Sequence, residues 1–501
     1  MTTLSTATGT ISSAGIGSGL DVNSIVTQLM AVEKQPLTRL QTAASTMQTE
    51  LSAFGQLQSL VSGLQDAATP LYDATTFAQA NSSSSNPSAV TATTSTGAVA
   101  GSYSVSVSSL SSTQSVVTSG TPFADATAAV GTGSLTIRLG TWSANGTVFT
   151  PKAGSSDITV PIGASENTLA GIRDKINAAN AGVSATVVTD ANGSRLALQS
   201  TSSGAANGFR ITVADDDGNN TDASGLSQLA FDPAGGAVQM TLAQAAANAQ
   251  ATVNGIAVTS ASNTLDGVIN GIAFNLGQVT TQPVTISVTA NTDAIKSKVS
   301  AFVDAYNQLN SFLAQATKYD ASTQTAALLQ GDSTATSIQN QLHNLVGNKT
   351  GASSTFSTLS SLGVELQKDG SLKINDTKLS AALTNLPELT KALGNLDPTS
   401  AANNGLGKRF ADWAGGLIAS NGALPGKTQS LQDHLASNQK DQDALNDRLD
   451  ATEARLRAQY TALDTTMAQA NALAKYVTQQ FYFNSSFSAS TNSNTGNGGG
   501  S

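Results

Sequence analysis

The chain has 501 residues, no cysteine, a net charge of −9 and only 11% charged residues, where ordinary domains carry about 25%. This excludes disulfides, thiol catalysis and cysteine-bound zinc, and it argues against nucleic-acid binding, because no lysine or arginine cluster offsets the acidic balance. The length exceeds one core, so two to four domains are expected, slender ones, since aromatics make up only 5%.

Met1 to Gly15 contains no basic residue and no apolar core, and the first positive charge is Lys34; a cleaved secretory signal is not expected. No run approaches the roughly 18 apolar residues of a membrane helix. The Thr/Ser/Gly-rich residues 1–20 read as disordered in isolation. Asp21 is placed to cap a helix carrying Val22, Ile25, Val26, Leu29 and Met30, and Pro36 suits the first turn of a second helix that runs to about Leu64. In that second helix Leu37, Leu40, Ala44, Met47, Leu51 and Phe54 fall at three- and four-residue steps, a narrow apolar seam that demands a partner helix. Ser82 to Ser85, followed by Asn86 and Pro87, read as a linker.

From 88 to 290 the period becomes two. Tyr103, Val105 and Val107 alternate with serines, as do Leu135, Ile137 and Leu139, then Phe209, Ile211 and Val213, then Val284, Ile286 and Val288. Asn145-Gly146, Asn192-Gly193, Asn254-Gly255 and Asn270-Gly271 are hairpin candidates, because Asn-Gly tolerates positive φ. One helix interrupts the strands, capped by Ser165 and lined by Leu169, Ile172 and Ile176. Helical spacing returns after Asp293 with Val299, Phe302, Val303, Tyr306, Leu309 and Leu313, and again after Asp332 with Ile338, Leu342, Leu345 and Val346. A small hairpin sets Val364 and Leu366 against Leu372 and Ile374 across Asp369-Gly370. Short helices carry Leu379, Leu383, Leu389 and Leu393. Gly422 to Gly426 is expected to break the chain before a long last helix. Its seam is Leu445, Leu449, Thr452, Leu456, Tyr460, Leu463, Met467, Ala470, Ala474, Val477 and Phe481. Such a helix, with small residues in its seam, does not bury enough to stand alone; the terminal helices are expected to be mobile in the free protein and to order in an assembly.

The fold class expected is multidomain α+β, with helical coiled-coil or bundle terminal regions and two inserted β-rich domains. The expected divisions are 1–44, a terminal segment or helical leg; 45–80 with 291–420, a helical bundle; 81–125 with 240–290, a β-rich domain; 126–239, a second β-rich domain with one helix; 421–484, a coiled-coil helix; and 485–501, a disordered tail.

The chemical motifs fail on spacing. Gly422 to Thr428 is one residue short of a phosphate loop, and Pro425 removes a donor from it. Gly15, Gly17 and Gly19 lack the third glycine spacing and a preceding strand. Asp215, Asp217 and Asn219 have the two-step spacing of a calcium loop, but Asn220 stands where glycine is required and Leu226 where glutamate is; a solvated acidic hairpin tip is the simpler reading. His343 and His434, the two histidines, form no metal motif. No enzyme, cofactor or metal site is expected, and the coiled-coil contacts are the candidate functional residues: Leu37, Leu40, Met47, Leu51, Phe54, Leu445, Leu449, Leu456, Tyr460, Leu463, Met467, Val477 and Phe481.

The run Ile11-Ser-Ser-Ala-Gly-Ile-Gly-Ser-Gly-Leu-Asp-Val-Asn-Ser-Ile25, with Glu33-Lys34-Gln35-Pro36-Leu37, resembles the start of bacterial flagellar filament cap proteins, the distal hook-associated proteins. Asn263 to Gly271, Gln330 to Ser333 and Lys368 to Leu372 are similar to later parts of that family, and Ser165 to Ser200 resembles an insert shared among flagellar axial proteins. The resemblance implies export through the flagellar channel without a cleaved signal, after a cytosolic export chaperone has engaged residues 485–501. It implies a homo-oligomeric cap on the filament tip, with the β domains as plate and the helical ends touching the filament, and the hook-filament junction proteins as further partners. Emerging flagellin would fold and insert beneath it. Two other readings stay open at this point: a tip adhesin binding host glycan or mucin through residues 88–290, and another flagellar axial subunit.

Overall fold

In the computed structural model, which describes residues 21–490 and side chains as far as residue 483, the chain divides into two compact units. One takes in residues up to Pro70, Ser300–Ala382 and the chain from Lys391 onward, and the other Leu71–Val299 with Leu383–Thr390. The architecture is multidomain α+β, with helical terminal regions and a β-rich middle. The glycine fingerprint at 15–19 and the readings of residues 1–20 and 491–501 fall outside the described residues. The helices are α1 (Val22–Glu33), α2 (Gln35–Ala68), α3 (Ala74–Phe77), α4 (Leu169–Ala178), α5 (Thr292–Thr317), α6 (Ser333–Gly347), α7 (Asp376–Ala382), α8 (Leu386–Gly394), α9 (Leu406–Ile418) and α10 (Ala423–Ser490).

Asp21 caps α1, its Oδ1 accepting from the Ser24 N–H at 3.0 Å. Lys34 separates α1 from α2, and Pro36 sits in the first turn of α2, where its missing N–H is harmless. The division expected at 44/45 is corrected: α2 runs unbroken across it. The break expected over Gly422 to Gly426 lies earlier, over residues 419–422 between α9 and α10. A Cβ at Gly422 would stand 2.4 Å from the Leu417 carbonyl oxygen, whereas Gly426 lies inside α10. Helix α10 continues to Ser490, past the tail boundary expected at 485.

The β-rich unit holds two hydrophobic cores. The first lies between a five-stranded antiparallel sheet (in order Ala80–Ser84, Val284–Ala290, Gly101–Ser109, Ala249–Val253, Ile256–Ser260) and a three-stranded one (Thr264–Ile269, Ile272–Leu276, Val90–Thr94). Val105, Val107, Phe274, Ile286 and Val288 fill it, the inward positions of the period-two runs. The serine run expected to be a linker is instead the edge strand Ala80–Ser84, paired with Ile286–Ala290. At the Asn254-Gly255 turn both residues take positive φ, 50° and 83°, as a type I′ hairpin requires.

The second core gathers α4, a sheet built on Gly133–Trp142 and Gly208–Asp215, and a four-stranded sheet (Met240–Gln244, Ser115–Thr118, Gly193–Ser200, Val183–Asp190). Strands Ser115–Thr118 and Met240–Gln244 belong here, so the division expected at 125/126 falls earlier and that at 239/240 later. Thr168, not Ser165, caps α4: its Oγ1 accepts from the Gly171 N–H at 3.1 Å. Gln114 is wholly buried. Its Nε2 donates to the Phe209 carbonyl at 2.7 Å and its Oε1 accepts from the Phe209 N–H at 3.0 Å, so one amide side chain stands in for a neighbouring strand.

In the helical unit, Phe410 of α9 meets Phe302 edge-on at 4.9 Å and Tyr306 at 6.3 Å. Burial pushes the Tyr306 hydroxyl far above the usual phenol range, and it donates to the Gly370 carbonyl at 3.1 Å. Asn307 exchanges two bonds with the Leu372 backbone, at 2.9 and 2.7 Å, and His343 of α6 contacts Asn310 at 2.9 Å. The Val364–Ile374 hairpin is thus pinned near its tip to α5, which α6 in turn meets through His343.

Candidate assembly interface

The sequence seams meet on α10. Lys427, near its start, lies over the ring of Phe54 at 5.5 Å, and Leu37, at the other end of the α2 seam, packs against the cluster that holds Leu449. The two helices therefore run antiparallel. α1 adds Val22, Val26 and Met30 against Leu449, with Leu456 and Tyr460 at the margin, and Asn23 accepts from Arg457 at 2.9 Å.

The expected contact residues fall into two groups. Phe54 and Leu449 are buried, and Leu37, Leu40, Met47, Leu51, Leu445, Leu456 and Tyr460 are half-buried. Leu463, Met467, Val477 and Phe481 are exposed, Phe481 by 72%, and no described residue of this chain covers them. The half-buried positions are explained by a pairwise coil, which leaves its flanks open to water; the exposed four have outrun both α1 and α2.

Seam phase marks these changes of partner. In α2 the rhythm through Leu51, Phe54 and Leu57 takes two successive three-residue steps. There α2 leaves α10 and turns toward α9, where Gln65 approaches Gly415. In α10 the rhythm through Thr452, Leu456 and Tyr460 takes two successive four-residue steps, at the point where α1 begins. Phase breaks of this kind rotate the apolar stripe around the helix.

Sequence spacing missed the base of the stalk. Leu424, Leu431 and Leu435 continue the seam upstream of Leu445, and between them Asn438 and Gln442 are buried. Gln442 Nε2 donates to Asn438 Oδ1 at 2.6 Å. Amides at seam positions interrupt the apolar rhythm, which hid its continuation. Lys427, part of the failed phosphate loop, donates to Asp332 Oδ2 at 2.8 Å, while Asp332 Oδ1 caps α6 through the Ala335 N–H at 2.9 Å. Burial raises the Asp332 pKa, but the Lys427 hydrogen bond and the α6 N–H groups outweigh it and hold the carboxyl below its usual range.

A carboxylate with a lowered folded pKa stabilises fully above its unfolded value, about 3.9, and that contribution fades as pH falls through the folded value. Asp332→Ala is expected to cost about 1–2 kcal/mol at pH 7, from lost cap and partly solvated ion pair. Asp332→Asn keeps the cap and should cost less, with a smaller loss of stability between pH 5 and 3 than the parent shows. Urea titrations across that range check both; equal acid sensitivity in the Asn variant would refute the role given to the ion pair.

The remaining candidates carry no chemistry. The Asp215 carboxylate accepts from the Ser227 N–H at 2.8 Å and Asp217 from the Asn219 N–H at 2.9 Å, so the acidic loop caps its own backbone. Among the described residues no group of His, Asp or Glu could hold a metal ion, and no helix is long and apolar enough to cross a membrane. His434 is exposed. A cavity of about 640 Å³ in the β-rich unit is lined by Trp142, Phe231 and Met240 among others, with no acid, base or cation in its wall.

Residues 18–114 match the flagellar hook-associated protein 2 N-terminus, residues 246–472 its C-terminus, and residues 143–202 the flagellin hook IN motif. Flagellar hook-associated protein 2 of Escherichia coli strain K12 is 35% identical over 488 residues, covering 95% of this chain and 99% of its own. The chain belongs to the flagellar hook-associated protein 2 family. The B-type family member of Pseudomonas aeruginosa PAO1 is 32% identical, covering 93% and 96% of the two chains. The crystal structure of the flagellar cap protein FliD D1-D2-D3 domains from Escherichia coli matches with a TM-score of 0.58 at 31% identity, over 76% of this chain and 99% of that one. Family and fold together make this a flagellar filament cap protein. The tip-adhesin reading finds no support in these likenesses.

Proposed function

We propose that several copies of this chain form a cap at the filament tip, under which flagellin folds and inserts. The observation that carries the reading is the division of α10. As far as Tyr460 its apolar residues are covered by the chain's own helices, and beyond it they are bare. An apolar helix held out from a folded unit suits contacts that must form and release as each subunit is added. The β-rich unit would supply the plate. Export follows the flagellar route without a cleaved signal, with a cytosolic chaperone engaging the C-terminal end beforehand and the hook-filament junction proteins among the partners. No reaction is assigned to the chain. The test is a deletion strain: it should secrete unpolymerised flagellin and lose its filaments, with both restored by the gene in trans. Normal filaments in that strain would overturn the reading.

A further inference from the structure

The chain contains two Asp-Pro bonds, Asp232-Pro233 and Asp397-Pro398. Bonds of this kind are labile in acid, because the aspartate carboxyl can close a ring on its own backbone carbonyl and proline leaves as a basic amine. The two carboxyls are held in opposite ways. Asp397 Oδ1 accepts from the Thr399 N–H at 2.8 Å, the Thr399 hydroxyl at 2.6 Å and the Ser400 N–H at 3.1 Å, and Oδ2 accepts from Asn403 Nδ2 at 2.8 Å. The Thr399 hydroxyl and the Asn403 amide hold this carboxyl well below the usual carboxylate range, and its lone pairs are occupied.

Asp232 stands in the hairpin that pairs Phe231–Asp232 with Ala237–Val238. The Gly235 N–H donates to the Asp232 carbonyl at 3.0 Å and closes the turn. Asp232 is only 7% exposed, and its Oδ1 is buried with no hydrogen-bond partner. An aspartate in a turn ordinarily accepts from the N–H two residues on, as Asp397 does; Asp232 Oδ1 does not. The carboxyl is wedged against Gly235 instead, where a Cβ would stand 2.6 Å from Oδ2. The register that sets Ile211 opposite Phe231 brings Arg210 level with Asp232, but the Arg210 guanidinium lies over the Phe149 ring at 5.1 Å and forms no ion pair with it. A buried carboxyl oxygen without a donor costs free energy, and its place beside the more labile kind of peptide bond gives it a use.

We propose that Asp232 cleaves the peptide bond that follows it. Oδ1 attacks the Asp232 carbonyl carbon and forms a cyclic anhydride as the bond to the Pro233 nitrogen breaks. The carboxyl proton passes to that nitrogen, which leaves as a secondary amine. Water then opens the anhydride, its hydroxyl going to one carbonyl carbon and its remaining proton to the oxygen released. One peptide bond and one water thus become a carboxyl terminus at Asp232 and an amino terminus at Pro233. The Gly235 N–H, already on the oxygen of the scissile carbonyl, stabilises the charge that builds there, and the attacking oxygen has no donor to lose first. The cut chain stays together, because Ser115–Thr118 pairs with Met240–Gln244 and Gly101–Ser109 with Ala249–Val253 across the cut. What it frees is a wall of the cavity bounded by Phe231, Pro233 and Val238. The event occurs once per molecule and does not depend on the cap reading.

The test incubates the folded full-length chain in warm, mildly acidic buffer and reads the products by intact mass and by the sequence of the new amino terminus. Cleavage after Asp232 should run about tenfold faster than after Asp397, as a freed and positioned nucleophile allows. In urea at the same pH both carboxyls are equally free, and the two rates should converge. Asp232→Asn keeps the shape and removes the nucleophile, so it should stay whole at that bond with an unchanged circular dichroism spectrum. Equal rates at the two bonds in the folded chain would overturn the proposal. So would a cut at Asp232 that is no faster folded than in urea, or one that persists in Asp232→Asn.

Discussion

Phe54→Ala is expected to lower the stability of the helical unit by about 3–5 kcal/mol, the range for removing a fully enclosed aromatic ring. The ring is inaccessible to solvent and lies beneath Lys427, where α2 passes from α10 to its next partner. Alanine there opens a cavity at a point that three helices share, since Lys427 also reaches Asp332 at the start of α6. Far-UV circular dichroism in urea measures the change through the helical signal. Phe54→Leu, which refills most of the volume, should recover more than half of it. A loss below about 1 kcal/mol for the alanine variant would mean that the junction at Phe54 does not hold the stalk.

The second large effect leaves stability untouched. Val477→Asp combined with Phe481→Asp places two charges on residues already in water, so folding should change by no more than about 0.5 kcal/mol. Capping should nevertheless fail: cells carrying the double variant should be non-motile and release flagellin into the medium, as a strain without the gene would. The pair of measurements separates a contact surface from a structural one, because a core defect would lower the unfolding midpoint as well. A double variant that swims normally would remove the distal stripe from the function.

Much of this was readable from spacing. Strands through Val105, Ile286 and Ile211 alternate because one face is buried and the other wet, and Asn254-Gly255 turns as its positive φ allows. The seams of α2 and α10 were legible for the same reason. What spacing concealed has physical causes. The edge strand Ala80–Ser84 is written in serine and asparagine, with the Ser82 hydroxyl donating to the Ala92 carbonyl and that of Ser84 accepting from the Asn86 N–H, so no apolar face announces it. Thr168 took the cap expected of Ser165, because either hydroxyl caps a helix and only the path of the loop decides. Helix α9 escaped notice although Leu406, Phe410, Ala414 and Leu417 lie on one of its faces. Lys427 drew attention as part of a nucleotide motif, and its partners Asp332 and Phe54 lie far off in the chain. The buried amides of the stalk broke the very rhythm being followed.

Those amides set how the leg responds to load. Gln442 donates one hydrogen bond to Asn438 inside an otherwise leucine-lined groove, which uses one donor and one acceptor of the two amides. Sliding α10 along α2 by one repeat would carry that bond with it but move the remaining donors and acceptor of the two amides to levels now occupied by Leu431 and Leu435 or by Leu445 and Leu449, among hydrocarbon. Such a penalty, worth roughly 1–3 kcal/mol per stranded group, works as a ratchet tooth. Thrust delivered at the far tip reaches the bundle as motion of a whole rod instead of dissipating as creep between its strands.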